Sequence, residues 1–215
     1  MPEKLICQPI SRQINANRRR VLGILGVGGF SLLASSPASG FSLKFWKKGK
    51  KAKRAASSID LSVLHQEWVK RQGSNLKGYA DFLADLKLKR VTPQQVISAH
   101  AKRRGSVWNS LPPKSLWKNM APTLKVLDRL AIELNQPVKE IVSAYRSPAY
   151  NARCVGARRG SWHQANVAVD VKFPIRASFV SSKVRSLRSR GLFKGGVGRY
   201  SSFTHIDTRG QSVDW

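Results

Sequence analysis

Residues 143–170 read SAYRSPAYNARCVGARRGSWHQANVAVD, and the fold and the chemistry of the chain both turn on them. At the end of the stretch Val167, Val169 and Val171 alternate with Ala168, Asp170 and Lys172, the period-two signature of a strand. Asp170 therefore sits between valines in an apolar strand, where a carboxylate is costly unless it is paired or bound to a metal. His163 lies in the loop just before, in H-x6-D spacing, and that loop is long enough to double back so that both side chains reach one ion. A second histidine follows in Phe203-Thr204-His205-Ile206-Asp207, with His205 and Asp207 two apart and so on one face of a strand. Two histidines and one aspartate can hold a zinc ion and leave its fourth position to water. The other reading is a pair of satisfied core histidines, and spacing alone does not separate the two. Of the 4 histidines, the remaining His65 and His100 fall on segments that read as surface helices.

Outward from this stretch, Ile141–Tyr145 reads as a strand, residues 176–190 as a helix closed by Gly191, and Phe203–Asp207 as a last strand. Pro122 opens a helix with an apolar stripe through Leu124, Leu127, Leu130, Ala131 and Leu134, ended by Asn135 and Pro137. Residues 114–215 are thus α+β, a small antiparallel sheet with packed helices. Residues 58–113 precede them as a helical segment. Ser58 caps a first helix carrying Leu61, Leu64 and Trp68, and Tyr79, Phe82, Leu83 and Leu86 mark a second. Thr92-Pro93-Gln94-Gln95 is a capping box opening a third, which Gly105 stops. The Pro112-Pro113 pair marks the boundary between the segments.

The beginning of the chain is of another kind. Arg18-Arg19-Arg20-Val21-Leu22 fits a twin-arginine export pattern, followed by a Gly-diluted apolar run and small residues, so residues 1–40 read as an export signal. An uncut anchor helix is the alternative. Residues 41–57 form a basic linker, a solvated tether whose charge also favours adhesion to anionic lipid. The chain carries 39 Lys+Arg against 11 Asp+Glu, an excess that continues beyond the linker and attracts polyanions. No nucleic-acid module is present, so no nucleic-acid partner is expected. With 2 cysteines, of which Cys7 precedes the signal's apolar run, a disulfide framework is excluded in the processed chain. Cys154 reads as a small half-buried residue.

The motifs together are more specific than any one of them. Tyr145-Arg146-Ser147-Pro148, Tyr150-Asn151, Ser161-x-His163, Ala168-x-Asp170 and Thr204-His205-Ile206-Asp207 resemble the zinc peptidases of the D-Ala-D-Ala carboxypeptidase type, related to the lysostaphin and hedgehog zinc domains. Within that group the chain looks most like exported murein endopeptidases, whose pattern is S-x-H-x-x-G-x-A-x-D with an earlier G-Y-R-S-x-x-Y-N and a late V-H-x-D. The Gly195–Tyr200 approach to the last strand and Trp215 share that likeness, which covers about residues 114–215.

The resemblance implies that His163, Asp170 and His205 ligate Zn2+, that Arg146 binds a carboxylate or carbonyl of the peptide, and that Ser161 orients substrate or a ligand. It implies hydrolysis of amide bonds in peptidoglycan stem peptides or cross-links, in the periplasm or cell envelope. The departures are two. Asn166 replaces the pattern's Gly, and Ser202 and Phe203 stand where relatives carry a base. Asp207 is the nearby carboxylate, either a catalytic base or an orienting partner of a ligand. If it is neither, the domain binds envelope material without cutting it. Trp162 reads as a core residue.

Overall fold

Strand β4 (Ala168–Lys172) is an interior strand of a five-stranded sheet, and four of its five residues are buried. Such a strand must be covered on both faces, which suits its run of small and β-branched residues. A computed structural model of the chain describes residues 59–215. The export-signal and linker readings, and the Ser58 cap, lie outside the described residues.

The sheet order is β3 (Glu140–Ser143), β4, β6 (Thr204–Asp207), β5 (Gly196–Arg199), β7 (Val213–Asp214). All neighbours are antiparallel except β5 and β7, whose short pairing is parallel. The fold is α+β, as the sequence implies. The register between β4 and β6 sets Asp170 directly opposite His205 and Ala168 opposite Asp207. Gly198 of β5 stands opposite His205 on its other side.

Among the described residues six α-helices accompany the sheet: α1 (Gln66–Gln72), α2 (Ser74–Asp85), α3 (Pro93–His100), α4 (Trp117–Leu134), the one-turn α5 (Pro148–Asn151) and α6 (Ala177–Ser189). A two-stranded hairpin, β1 (Arg103–Arg104) with β2 (Val107–Trp108), follows α3. Trp68, Tyr79 and Ile97 from the first three helices join Leu124, Leu127 and Leu130 of α4, Val184 of α6 and Val169, Val171 and Ile206 of the sheet in one buried cluster. Pro112 and Pro113 turn the chain without dividing this core. Among the described residues no helix is long and apolar enough to cross a membrane.

Local signals hold where the backbone decides and fail where packing does. The Thr92–Gln95 capping box forms in full, with Pro93 in the first turn. Asn135 ends α4 in the left-handed conformation. Pro122, however, lies inside α4. The helix begins at Trp117, because Trp117 is pinned by its indole N–H to Pro112 O (2.9 Å) and Met120 is fully buried, so packing carries the helix through the proline. The first helix starts at Gln66, capped by the His65 ring, which accepts from Glu67 N. Gly105, read as a helix stop, turns the β1–β2 hairpin at φ 57°.

His100, read as a surface residue, is completely buried. Its ring lies 5.6 Å from that of Tyr79 and 6.4 Å from that of Tyr145. Burial pushes its pKa down to about 4, so the folded protein holds it neutral. Below the ordinary value of 6.5 the unfolded chain takes up a proton that the folded chain refuses. Stability is then lost as pH falls from about 6.5 towards 4, by about 3 kcal/mol for this group. Urea unfolding at pH 7 and pH 4 is expected to show that loss in the wild type and a slope smaller by that amount in His100→Leu.

Candidate metal centre

The loop before β4 is shaped by its own backbone. Asn166 N donates to His163 O (3.2 Å) and Val167 N to Trp162 O (3.2 Å), folding residues 162–167 back on themselves. Asn166 adopts φ 57°, the left-handed conformation that the pattern's Gly would take, and its amide donates to Leu116 O (2.9 Å). Ser161 Oγ accepts from His163 N at 3.4 Å. His163 is thereby presented to β4, 3% exposed.

The hydrogen bonds decide which nitrogen of each ring is free. His163 Nδ1 faces the Ala144 carbonyl at 2.7 Å, so Nδ1 carries the proton. Its Nε2 lone pair then faces Asp170 Oδ2, 3.3 Å away. On β6, His205 stands between two carboxylates: Nε2 faces Asp207 Oδ2 at 3.0 Å and Nδ1 faces Asp170 Oδ1 at 2.8 Å, so with its proton on Nε2 the ring offers Nδ1 to a metal. One donor atom from each of His163, Asp170 and His205 lies within 4.8 Å of the others, and all three residues are buried. Among the described residues this is the one such group. Two imidazole nitrogens and a carboxylate are the donor set that suits zinc with an open fourth position, and each histidine's other nitrogen is held by a partner as metal-bound histidines require.

The electrostatics follow from burial and pairing. Burial alone would raise the Asp170 carboxyl, but the imidazoles of His163 and His205 hold it well below the usual range. Burial pushes His163 down against the pull of Asp170. For His205 burial works the same way, and the bonds to Asp170 and Asp207 outweigh it, so its affinity for a proton rises. A metal must displace that proton, and its binding weakens as pH falls.

Asp207 is not the base that one reading assigned to it. It is fully buried, does not line the pocket, and has both oxygens saturated. Oδ1 accepts from Gly196 N (3.0 Å), Arg209 N (3.1 Å) and Arg209 Nε (2.8 Å), and Oδ2 from Arg209 and His205. Burial opposes its ionisation, yet the Arg209, His205 and Gly196 donors pull its pKa well below the ordinary value. It orients His205. Arg146, expected on substrate, is first of all Asp170's partner, bonding Oδ2 while its Nε donates to Ser143 Oγ (2.7 Å). It still lines the pocket, as does Ser161.

That pocket, about 670 Å³, opens over the three donor residues and is lined also by Arg158, Arg159, Trp162, Tyr200, Phe203, Arg209 and Trp215. Trp162 is 40% exposed and belongs to this wall, not the core. Arg209, unassigned in the sequence, lies 5.0 Å from the Trp162 ring and 5.1 Å from that of Trp215. Its D-x-R spacing after Asp207 was the available signal. The model of the family described as Peptidase M15 matches residues 89–207, more than half of the chain.

The chain belongs to the peptidase M15 family.

M15 peptidases are zinc metallopeptidases, and the match takes in all three donor residues and Asp207. It begins before α3, so the family's domain includes part of the helical segment. No curated protein and no solved structure matches the chain. The Arg209–Asp207 pair would act on a metal held here through His205, which Asp207 contacts. Arg209→Met and Asp207→Asn are each expected to weaken metal binding about 10- to 100-fold with little change in far-ultraviolet circular dichroism, as measured by competition with a chromophoric chelator.

Proposed function

We propose that this M15 domain is a zinc-dependent peptidase that hydrolyses amide bonds of peptidoglycan stem peptides or cross-links in the periplasm or cell envelope. The observation that carries the reading is the convergence of His163 Nε2, Asp170 and His205 Nδ1 at the floor of an arginine-lined pocket. Zinc held there supplies the Lewis acidity that makes water a nucleophile near neutral pH and polarises a peptide carbonyl.

The chain's own residues do the rest. Ala144 O and Asp207 stand behind the two rings and take the proton of the nitrogen turned away from the site, while binding releases the proton that His205 holds towards Asp170. Arg146 keeps Asp170 ionised and aimed, and its guanidinium stands at the pocket wall to meet a substrate carbonyl or carboxylate. Arg158 and Arg159 are exposed on the loop that forms one rim, with no acidic partner among the described residues. A pocket with this many guanidiniums, and no carboxylate beyond Asp170, favours an anionic substrate such as a stem peptide with free carboxylates. The net charge of +28 adds electrostatic contact with anionic membrane or envelope polymers. Export is supported by the twin-arginine pattern in residues 1–40.

A second reading, an envelope-binding module without turnover, draws on one observation. Apart from His163, Asp170 and His205, no carboxylate or imidazole lines the pocket. The two readings part on one preparation. Zinc-reconstituted wild type is expected to contain about one zinc per chain by elemental analysis, to release muropeptides from purified sacculi, and to stop on addition of EDTA. His163→Ala is expected to lose both metal and release. Zinc present with an unchanged muropeptide profile would leave the binding module.

A further inference from the structure

Tyr200 occupies the pocket wall in an arrangement that packing alone does not require. The turn from β5 to β6 is closed by Tyr200 N donating to Phe203 O (3.1 Å), and the two rings stack 4.3 Å apart, 14° from parallel. The phenol is thus held flat against Phe203 while 41% of the residue stays exposed to the pocket.

Its hydroxyl is fixed from the other side by Trp215. Trp215 is tied to β5 by Trp215 N to Val197 O (3.3 Å) and Arg199 N to Trp215 O (2.9 Å). Its indole lies over Gly196 and Gly198, so closely that a Cβ on Gly198 would come within 2.7 Å of the indole nitrogen. On one flank the ring packs 5.1 Å from that of His205, and Arg209 sits over it. Its N–H then donates to Tyr200 Oη at 3.0 Å. The phenol oxygen is therefore an acceptor in this bond, and its own proton is left to donate elsewhere. No described residue accepts it. A phenol that receives one hydrogen bond is polarised towards giving the next.

The neighbouring guanidiniums are cations, and two of them are already engaged, Arg146 by Asp170 and Ser143, and Arg209 by Asp207. Tyr200 is a neutral donor built into the wall, tethered through one indole to the ring of a donor histidine. We propose that Tyr200 is a catalytic residue, whose hydroxyl donates a hydrogen bond to the oxyanion that develops on the scissile carbonyl as hydroxide, its proton already given up to solvent, bonds to the carbon and the carbonyl π pair moves to oxygen. The adduct then collapses with cleavage of the C–N bond, and the amine takes its proton from solvent. No proton leaves the tyrosine. The bond is worth most when the carbonyl oxygen carries its full negative charge, and so it lowers the barrier without tightening the ground state. This role rests on the peptidase reading, and it supplies electrophilic assistance in a pocket that has no separate acid or base.

Tyr200→Phe keeps the ring and its stacking and removes the hydroxyl. The assay measures kcat and KM on a stem-peptide substrate, zinc content, and the affinity of a phosphinate peptide that imitates the tetrahedral adduct. The expected result is a fall of about 100-fold in kcat with KM nearly unchanged, full zinc content, and a comparable loss of phosphinate affinity. Wild-type kcat and phosphinate affinity in the variant would overturn the proposal, as would loss of zinc, which marks a merely supporting role. The phosphinate separates this proposal from the function it rests on. Wild type that binds it without releasing muropeptides refutes the murein assignment alone, and the variant's affinity still decides the role of Tyr200. Wild type that binds no phosphinate refutes both.

Discussion

The burial of two carboxylates, Asp170 and Asp207, on adjacent strands sets the terms for everything around them. An isolated ionised carboxylate does not survive in a protein interior, and each of these is ionised only because its oxygens are met by donors. The donors form a single chain of contacts. Trp162 and Trp215 flank Arg209, which clamps Asp207, which holds His205, which faces Asp170, which is closed off by His163 and Arg146. Removing one link leaves a buried charge without its partner, so the site behaves as a unit.

Side chains that are missing matter as much as those present. A Cβ on Gly195 would collide with the Asp207 backbone, one on Gly196 with the Asp207 carboxylate, and one on Gly198 with the Trp215 indole. Strand β5 is therefore a backbone ledge. Its N–H at Gly196 serves Asp207, and its bare surface seats the ring that reaches Tyr200. Glycine weakens a strand. Here β6 on one side and β7 on the other supply the pairing that offsets the weakness.

Much of this was legible in the sequence because strand periodicity is short-range. Alternating valines placed Asp170 in an apolar strand, and the two-residue spacing put His205 and Asp207 on one face; the three donors as a set came from the resemblance, since spacing alone leaves two satisfied core histidines as the alternative. Asn166 was readable as a left-handed position because it stands where the pattern has Gly and asparagine tolerates that backbone. The role of Asp207 could not. A carboxylate two residues from a metal-site histidine is a base or an orienting group depending on where its own donors are, and those come from Arg209 after a turn and from β5 across a strand pairing. Trp162 and His100 were misplaced for a like reason. Trp162 faces the pocket because Arg209 covers it, and His100 is internal because Tyr145, forty-odd positions later, folds over it.

The helical segment before the Pro112-Pro113 pair is the support on which the Arg146 turn stands. Asn109, 2% exposed, follows the β1–β2 hairpin, and its side-chain amide donates to Tyr145 O (2.9 Å) and accepts from Ser147 N (2.9 Å). It thus grips the backbone on either side of Arg146. Asn109 is itself held by Trp68 of α1, whose indole N–H donates to its carbonyl at 2.7 Å. From the same region the His100 ring packs against that of Tyr145, with the Tyr79 ring against His100 in turn. Arg146 can hold Asp170 because its backbone is fixed from below by Asn109 and from the side by its N–H to His163 O (3.2 Å). A family domain that begins at residue 89 and so contains Asn109 is what this geometry calls for, since a domain starting at the prolines would lack the residue that positions its own arginine.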